Sequence, residues 1–210
     1  MPDPLLVDLF AEDHAHQALL EPLIFRLCRE EGRDLRLRVR SARGGHPRVL
    51  AELVLYQRSL EKLAAVEPAP DVVVVAIDAN CETHARALRN TEDRLATPLR
   101  ERAVIACPDP HIERWFLADP AAFARVVGLQ PVPGRRKCVR DHCKDLLARA
   151  IVDAGHPPTL GGIEFARELA REMDLYLAGE REPSLGRFLS ELRGRLRIPS
   201  GTLGRSRPRP

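Results

Sequence analysis

Two short acidic stretches of this 210-residue chain carry side chains suited to a hard divalent cation: Glu12-Asp13, and Asp78-Ala-Asn80-Cys-Glu82. Oxygen donors from separate loops, with room left for water and a phosphate, are what Mg2+ (or Mn2+) needs, because the small ion dehydrates reluctantly. An ion held there neutralises a phosphate and orients an attacking oxygen. Packed together without one, the carboxylates would raise each other's pKa values and cost stability. The plainer alternatives are first-turn helix acids at Glu12 and Asp13, and an Asx turn at Asp78 and Asn80. Glu113 is a further acidic candidate, with a helix's charged face as its alternative. His14 and His16 read as exposed first-turn histidines, although His16 is placed to reach a metal.

The elements that must position these groups are legible in the apolar pattern. Val72-Val-Val-Val-Ala-Ile77 is too β-branched for a good helix and too short to span a membrane, so it reads as a strand buried on both faces of a parallel sheet. Function in such sheets collects at the carboxyl ends of the strands, where Asp78, Asn80 and Glu82 emerge. Leu5-Leu-Val-Asp-Leu-Phe10 predicts the first strand, interrupted by Asp8, and Glu12 follows it. The spacing of Leu19, Leu20, Leu23, Ile24 and Leu27 predicts a helix that Pro22 should restart or kink. Leu35-Arg-Leu-Arg-Val-Arg40 alternates as a strand nearer a sheet edge does. Helices are predicted from Val49 to Leu63 and from Thr83 to Leu95, and a fourth strand over Ala103-Val-Ile-Ala-Cys107. Ile112 to Asp119 reads as helical, and Asp119-Pro120 caps a further turn through Val127.

The alternation to this point is that of an α/β layer. Beyond the Pro-rich connector at Gly128 to Gly134 the pattern holds helices only, over Cys138 to Ala154, Ile163 to Ala178 and Ser184 to Leu196. The division expected is therefore an α/β domain over 1–127, a helical extension over 128–198, and a disordered basic tail over 199–210. Trp115 and Phe116 read as core. Arg135, Arg136, Lys137, Arg140 and Lys144 form a basic cluster that would hold a nucleic-acid backbone or make a wet helix face. Cys138, His142 and Cys143 match no common zinc-ligand spacing.

The formal net charge of +3 hides an asymmetry. From Arg181 onward eight arginines face two glutamates, a surplus of +6, so the remaining 180 residues sum to −3. A basic end on a mildly acidic body suits contact with phosphate or an acidic partner. No stretch has the apolar length a bilayer requires, and the N-terminus lacks the layout of a signal peptide. Five cysteines without framework spacing agree with a reducing compartment, and a cytoplasmic location is expected.

Strand, glutamate, helix, then a later strand ending in an Asp-x-Asp-type motif resembles the Toprim domain of topoisomerases, primases and the overcoming-lysogenisation-defect nucleases. The segment Cys107-Pro-Asp-Pro-His-Ile-Glu113-Arg-Trp115-Phe-Leu-Ala-Asp119 is similar to a small group of bacterial Toprim-like proteins, often encoded beside an SMC/ABC-type ATPase. The resemblance covers roughly the first 125 residues. It implies a Toprim-like parallel sheet of about four strands flanked by helices. It also implies Glu12 as general acid/base or metal ligand and Asp78 as the first metal-binding aspartate. Asn80 stands where the second aspartate usually stands, so Glu82 is the candidate substitute, and Asp13 replaces the usual glycine.

The activity so implied is metal-dependent hydrolysis of DNA or RNA phosphodiesters, with the chain as effector partner of such an ATPase in anti-phage defence. The alternative is a non-catalytic nucleic-acid-binding or regulatory subunit. A phosphoacceptor receiver lacks its hydroxyl and lysine after Ala103 to Asp109. No Gly-x-Gly-x-x-Gly follows a strand, and no nucleophile elbow is present.

Overall fold

The computed structural model describes residues 3–40, 45–63, 68–131, 134 and 137–198. The 199–210 tail, expected to be disordered, lies outside the described residues, as do Arg135 and Arg136.

Four parallel strands, β1 (Leu5–Ala11), β2 (Leu35–Val39), β3 (Val72–Ala76) and β4 (Ala103–Ala106), form one sheet in the order β2-β1-β3-β4. The valine run is interior as its composition requires: every residue of β3 is buried, between β1 and β4. The alternating β2 lies at an edge and keeps only partial cover. Asp8 does not break β1, because its buried carboxylate is paired with Arg38 and Arg40 of the β2 segment and accepts a hydrogen bond from the Tyr56 hydroxyl. A buried charge is tolerated where its partners satisfy it.

The sheet separates two apolar layers, and the two-residue period of the strands decides which side chain enters which. Val7, Leu9, Ala11, Val74 and Ala76 face α1 (His14–Glu30) and the C-terminal helices. Phe10, Val73, Val75 and Ile77 face α2 (His46–Leu63), α3 (His84–Glu92) and α4 (Thr97–Arg100). The five apolar positions of α1 are fully buried, and the helix continues through Pro22 instead of restarting there. Among the described residues, no helix is long and apolar enough to cross a membrane.

After β4 come α5 (Glu113–Phe116), α6 (Pro120–Val127), α7 (His142–Asp153), a 3-10 turn at Ile163–Phe165, α8 (Ala166–Glu172), α9 (Leu175–Arg181) and α10 (Pro183–Leu196). Two helices expected as single units are shorter. Ile112 to Asp119 contains only the one-turn α5, because Asp119 leaves helical geometry to cap α6 through the amides of Ala121 and Ala122. The segment Ile163 to Ala178 breaks at Met173, where Asp174 caps a new helix through the amides of Tyr176 and Leu177. Capping competes with continuation wherever Asp falls within an apolar helical pattern.

The helical region shares the core of the sheet: Leu147, Ile151, Leu169, Phe188 and Leu192 join Val7, Leu9 and Val74 in one apolar cluster. Gly179 and Gly186 bring α9 and α10 into near backbone contact, since a Cβ on Gly179 would lie 2.9 Å from the Gly186 Cα. Trp115 is fully buried, stacks on Phe188 at 5.4 Å and donates its indole N–H to Ser184 Oγ at 2.9 Å. With the buried Arg114–Glu182 pair, these contacts anchor α5 to α10. The anchored segment carries His111 and Glu113.

Candidate metal centre

Glu12 and Asp78 meet because β1 and β3 are neighbours in register. Ala11 pairs with Ala76, so the two chains leave the sheet side by side, and the Glu12 amide donates to the Ala76 carbonyl at 3.1 Å. The Glu12 carboxylate accepts the Asp78 backbone N–H at 3.0 Å. The strand order also makes this a switch point: from β1 the chain goes one way to β2, then crosses to β3 on the other side. Crevices for ligands open at such points.

Asp13 caps α1, its Oδ1 accepting the His16 amide at 3.1 Å and lying 2.8 Å from His16 Nδ1. A carboxylate can only accept, so Nδ1 carries the proton and Nε2 faces the other way. Nε2 lies 3.1 Å from Asp78 Oδ1, close enough for a charge contact but not aligned as a hydrogen bond. Neither of these two buried atoms has a hydrogen-bond partner among the described residues. Ligand atoms of Glu12, His16 and Asp78 lie within 4.8 Å of one another. A buried imidazole nitrogen and a buried carboxylate oxygen 3.1 Å apart, beside the second carboxylate of Glu12, fit a cation. The Asp13–His16 contact repeats the second carboxylate that commonly orients a metal-binding imidazole.

His16 is fully buried, which corrects the expectation of an exposed first-turn histidine; His14 is the exposed one. A residue four positions after Glu12 points back along the helix toward the sheet end, and only the packing of distant segments determines whether it is covered. Burial disfavours the His16 imidazolium, but the charges of Asp78 and Asp13 outweigh it and raise the pKa to about 10. Asp13 is likewise held down at about 2, burial being overcome by its hydrogen bond and charge contact with His16. Burial of Asp78 opposes its ionisation, yet His16 and His111 lower its pKa. His111 Nδ1 lies 3.1 Å from Asp78 Oδ2, and that hydrogen bond raises the histidine's own pKa. Glu113 is buried, its Oε2 has no hydrogen-bond partner among the described residues, and burial followed by the Asp78 charge pushes its pKa up.

A cavity of about 390 Å3 opens onto this group, lined by Glu12, Asp13, Asp78, Asn80 and His111 together with Lys144, Arg140 and Asp141, the last two paired at 3.3 Å. Asn80 adopts the left-handed conformation (φ 53°) that its short amide side chain tolerates, and its Nδ2 donates to the Asp78 carbonyl at 3.2 Å. The exposed thiols of Cys81 and Cys138 also line the cavity.

The remaining sequence candidates fall elsewhere. Glu82 turns onto α3, where it accepts from Asn90 Nδ2 at 2.8 Å and faces Arg86; it lines no part of the cavity and does not replace Asn80 as an acid. Lys137 pairs with Asp109 at 2.6 Å beside a separate cavity. Arg135 and Arg136 lie outside the described residues. His111, which is not among the sequence candidates, carried one signal: it follows a strand end and stands two residues before Glu113. Comparison of the chain with protein-family models, curated proteins and solved structures finds no match in any of the three.

Proposed function

We propose that the chain is a divalent-metal-dependent nuclease that hydrolyses nucleic-acid phosphodiester bonds in the cavity at the ends of β1 and β3. The single observation that carries this reading is the convergence of Glu12, His16 and Asp78, with His16 Nε2 and Asp78 Oδ1 buried and lacking hydrogen-bond partners among the described residues. One nitrogen and two carboxylates suit Mn2+ better than Mg2+, because imidazole is a softer donor than carboxylate or water. When bound, the ion supplies Lewis-acid charge at a phosphoryl oxygen and an acidified water.

The protein's own groups account for the rest. Lys144 and Arg140 line the same cavity and would hold the phosphate by charge. The hydrogen bond to Asp78 raises the pKa of His111, and its ring lines the same cavity, which suits it to donate a proton to the leaving oxygen. Glu113, two residues beyond His111, is buried with its pKa pushed up by burial and the Asp78 charge. The further assignment, effector partner of an SMC/ABC-type ATPase in anti-phage defence, draws its support from the Cys107 to Asp119 resemblance.

Asn80 favours a second reading, a non-catalytic Toprim-like nucleic-acid-binding or regulatory subunit, because an amide there brings no charge to the ion. Labelled single- and double-stranded DNA and RNA, incubated with Mn2+ or Mg2+, separate the two. The nuclease reading expects cleavage that EDTA stops and that Asp78→Ala abolishes. Cleavage surviving both, or none on any of the four substrates, removes it.

A further inference from the structure

A cavity of about 880 Å3 lies far from the candidate centre. It opens where the last turns of α1 meet α8 and the start of β2, and Asp13 and Arg29 mark opposite ends of α1. Sixteen residues at 1.5 Å each set them about 24 Å apart. Five arginines line it against two carboxylates, Glu21 and Asp34, leaving a surplus of three positive charges.

Two of these arginines build the groove. Arg26 donates to the carbonyls of Ala170, Arg171 and Met173 and fixes the end of α8 against α1; Arg33 donates to the carbonyls of Leu196 and Ile198. The other three are exposed. Arg29 stands in the last turn of α1, and Arg167 and Arg171 are four residues apart on one face of α8. Their side chains make no hydrogen bond or ion pair with any described residue. Phe25, 45% exposed, lies among them one helical turn from Arg29.

We infer that this groove is a second, non-catalytic nucleic-acid site, in which Arg29, Arg167 and Arg171 hold the phosphodiester backbone of a single strand and Phe25 stacks on a base. Guanidinium groups match phosphate oxygens in paired hydrogen bonds, and a basic groove with an exposed ring is the arrangement that binds single strands without sequence preference. An acidic polypeptide satisfies the charge but makes no use of the ring. The inference does not depend on the candidate metal centre being catalytic.

The test is fluorescence anisotropy of the full chain with a labelled oligothymidine in EDTA, where metal-dependent cleavage is off, so a failed nuclease assay leaves this measurement intact. The wild-type affinity is expected to fall with salt, and the triple variant Arg29→Ser/Arg167→Ser/Arg171→Ser to flatten the log–log salt slope by about 2, at roughly 0.7 for each phosphate no longer neutralised. Phe25→Ala is expected to weaken binding about tenfold with the salt slope unchanged. All four positions are exposed, and a circular dichroism spectrum confirms each variant's fold. The inference is overturned if the triple variant keeps the wild-type affinity and slope, if the wild-type chain does not bind the oligonucleotide, or if polyglutamate of equal charge binds as tightly and is equally indifferent to Phe25→Ala.

Discussion

A cation entering the candidate centre must compete with a proton, and the competition can be sized. With its pKa raised to about 10 by Asp78 and Asp13 against the cost of burial, His16 is an imidazolium at neutral pH in the metal-free protein. Only neutral Nε2 can bind metal. At pH 7.5 roughly one molecule in 300 has it free, and emptying the site costs about 3 kcal/mol at 1.36 kcal/mol for each pH unit. Raising the pH relieves that cost tenfold per unit until about 10. Titration calorimetry with Mn2+ in buffers of different ionisation enthalpy reads both the affinity and the protons released. Between pH 7 and 9 the affinity should climb about tenfold per unit, with close to one proton released per ion, and His16→Gln should abolish the release while weakening binding. An affinity flat across that range with no proton released would refute the assignment of His16 Nε2 as a ligand.

Three further outcomes follow from the same contacts. In the metal-free protein His16 has a folded pKa above its unfolded value of 6.5, so its stabilising contribution is complete below 6.5 and is lost as the pH rises toward about 10. That contribution is on the order of 5 kcal/mol, and urea midpoints should fall from pH 7 to 10 in the wild type but not in His16→Gln. Glu12→Gln keeps an acceptor for the Asp78 amide and removes a charge; Mn2+ affinity should drop at least tenfold while the thermal midpoint stays within about 2 °C. Asp8→Ala removes the buried carboxylate that Arg38, Arg40 and the Tyr56 hydroxyl share and should cost about 3 kcal/mol in chemical denaturation, the penalty for breaking a buried ion pair from one side. A loss under 1 kcal/mol would refute a stabilising role for the Asp8 carboxylate.

That Glu12 and Asp78 each follow a strand of one parallel sheet was legible in the apolar runs before them; that those two strands are neighbours was an assumption, decided only by the sheet order β2-β1-β3-β4. Burial of β3 and the edge position of β2 followed from the same composition rule. The local sequence carried no information on what covers the first turn of α1. The β4–α5 segment, held by Trp115 against Ser184 and Phe188 across about seventy residues of chain, positions His111 beside Asp78.

Side-chain direction was equally out of reach. Glu82 and Lys137 carry the right charges, but each found a nearer partner, in Asn90 and Asp109 respectively. Periodicity identified the C-terminal helices, yet only packing joined their apolar faces to the sheet's core, since a stripe of leucines on a helix is satisfied by any apolar surface of matching shape. Sequence determined which backbone segments end at the site; the tertiary structure determined which side chains are buried there together, because burial and charge pairing depend on atoms that are neighbours in space and strangers along the chain.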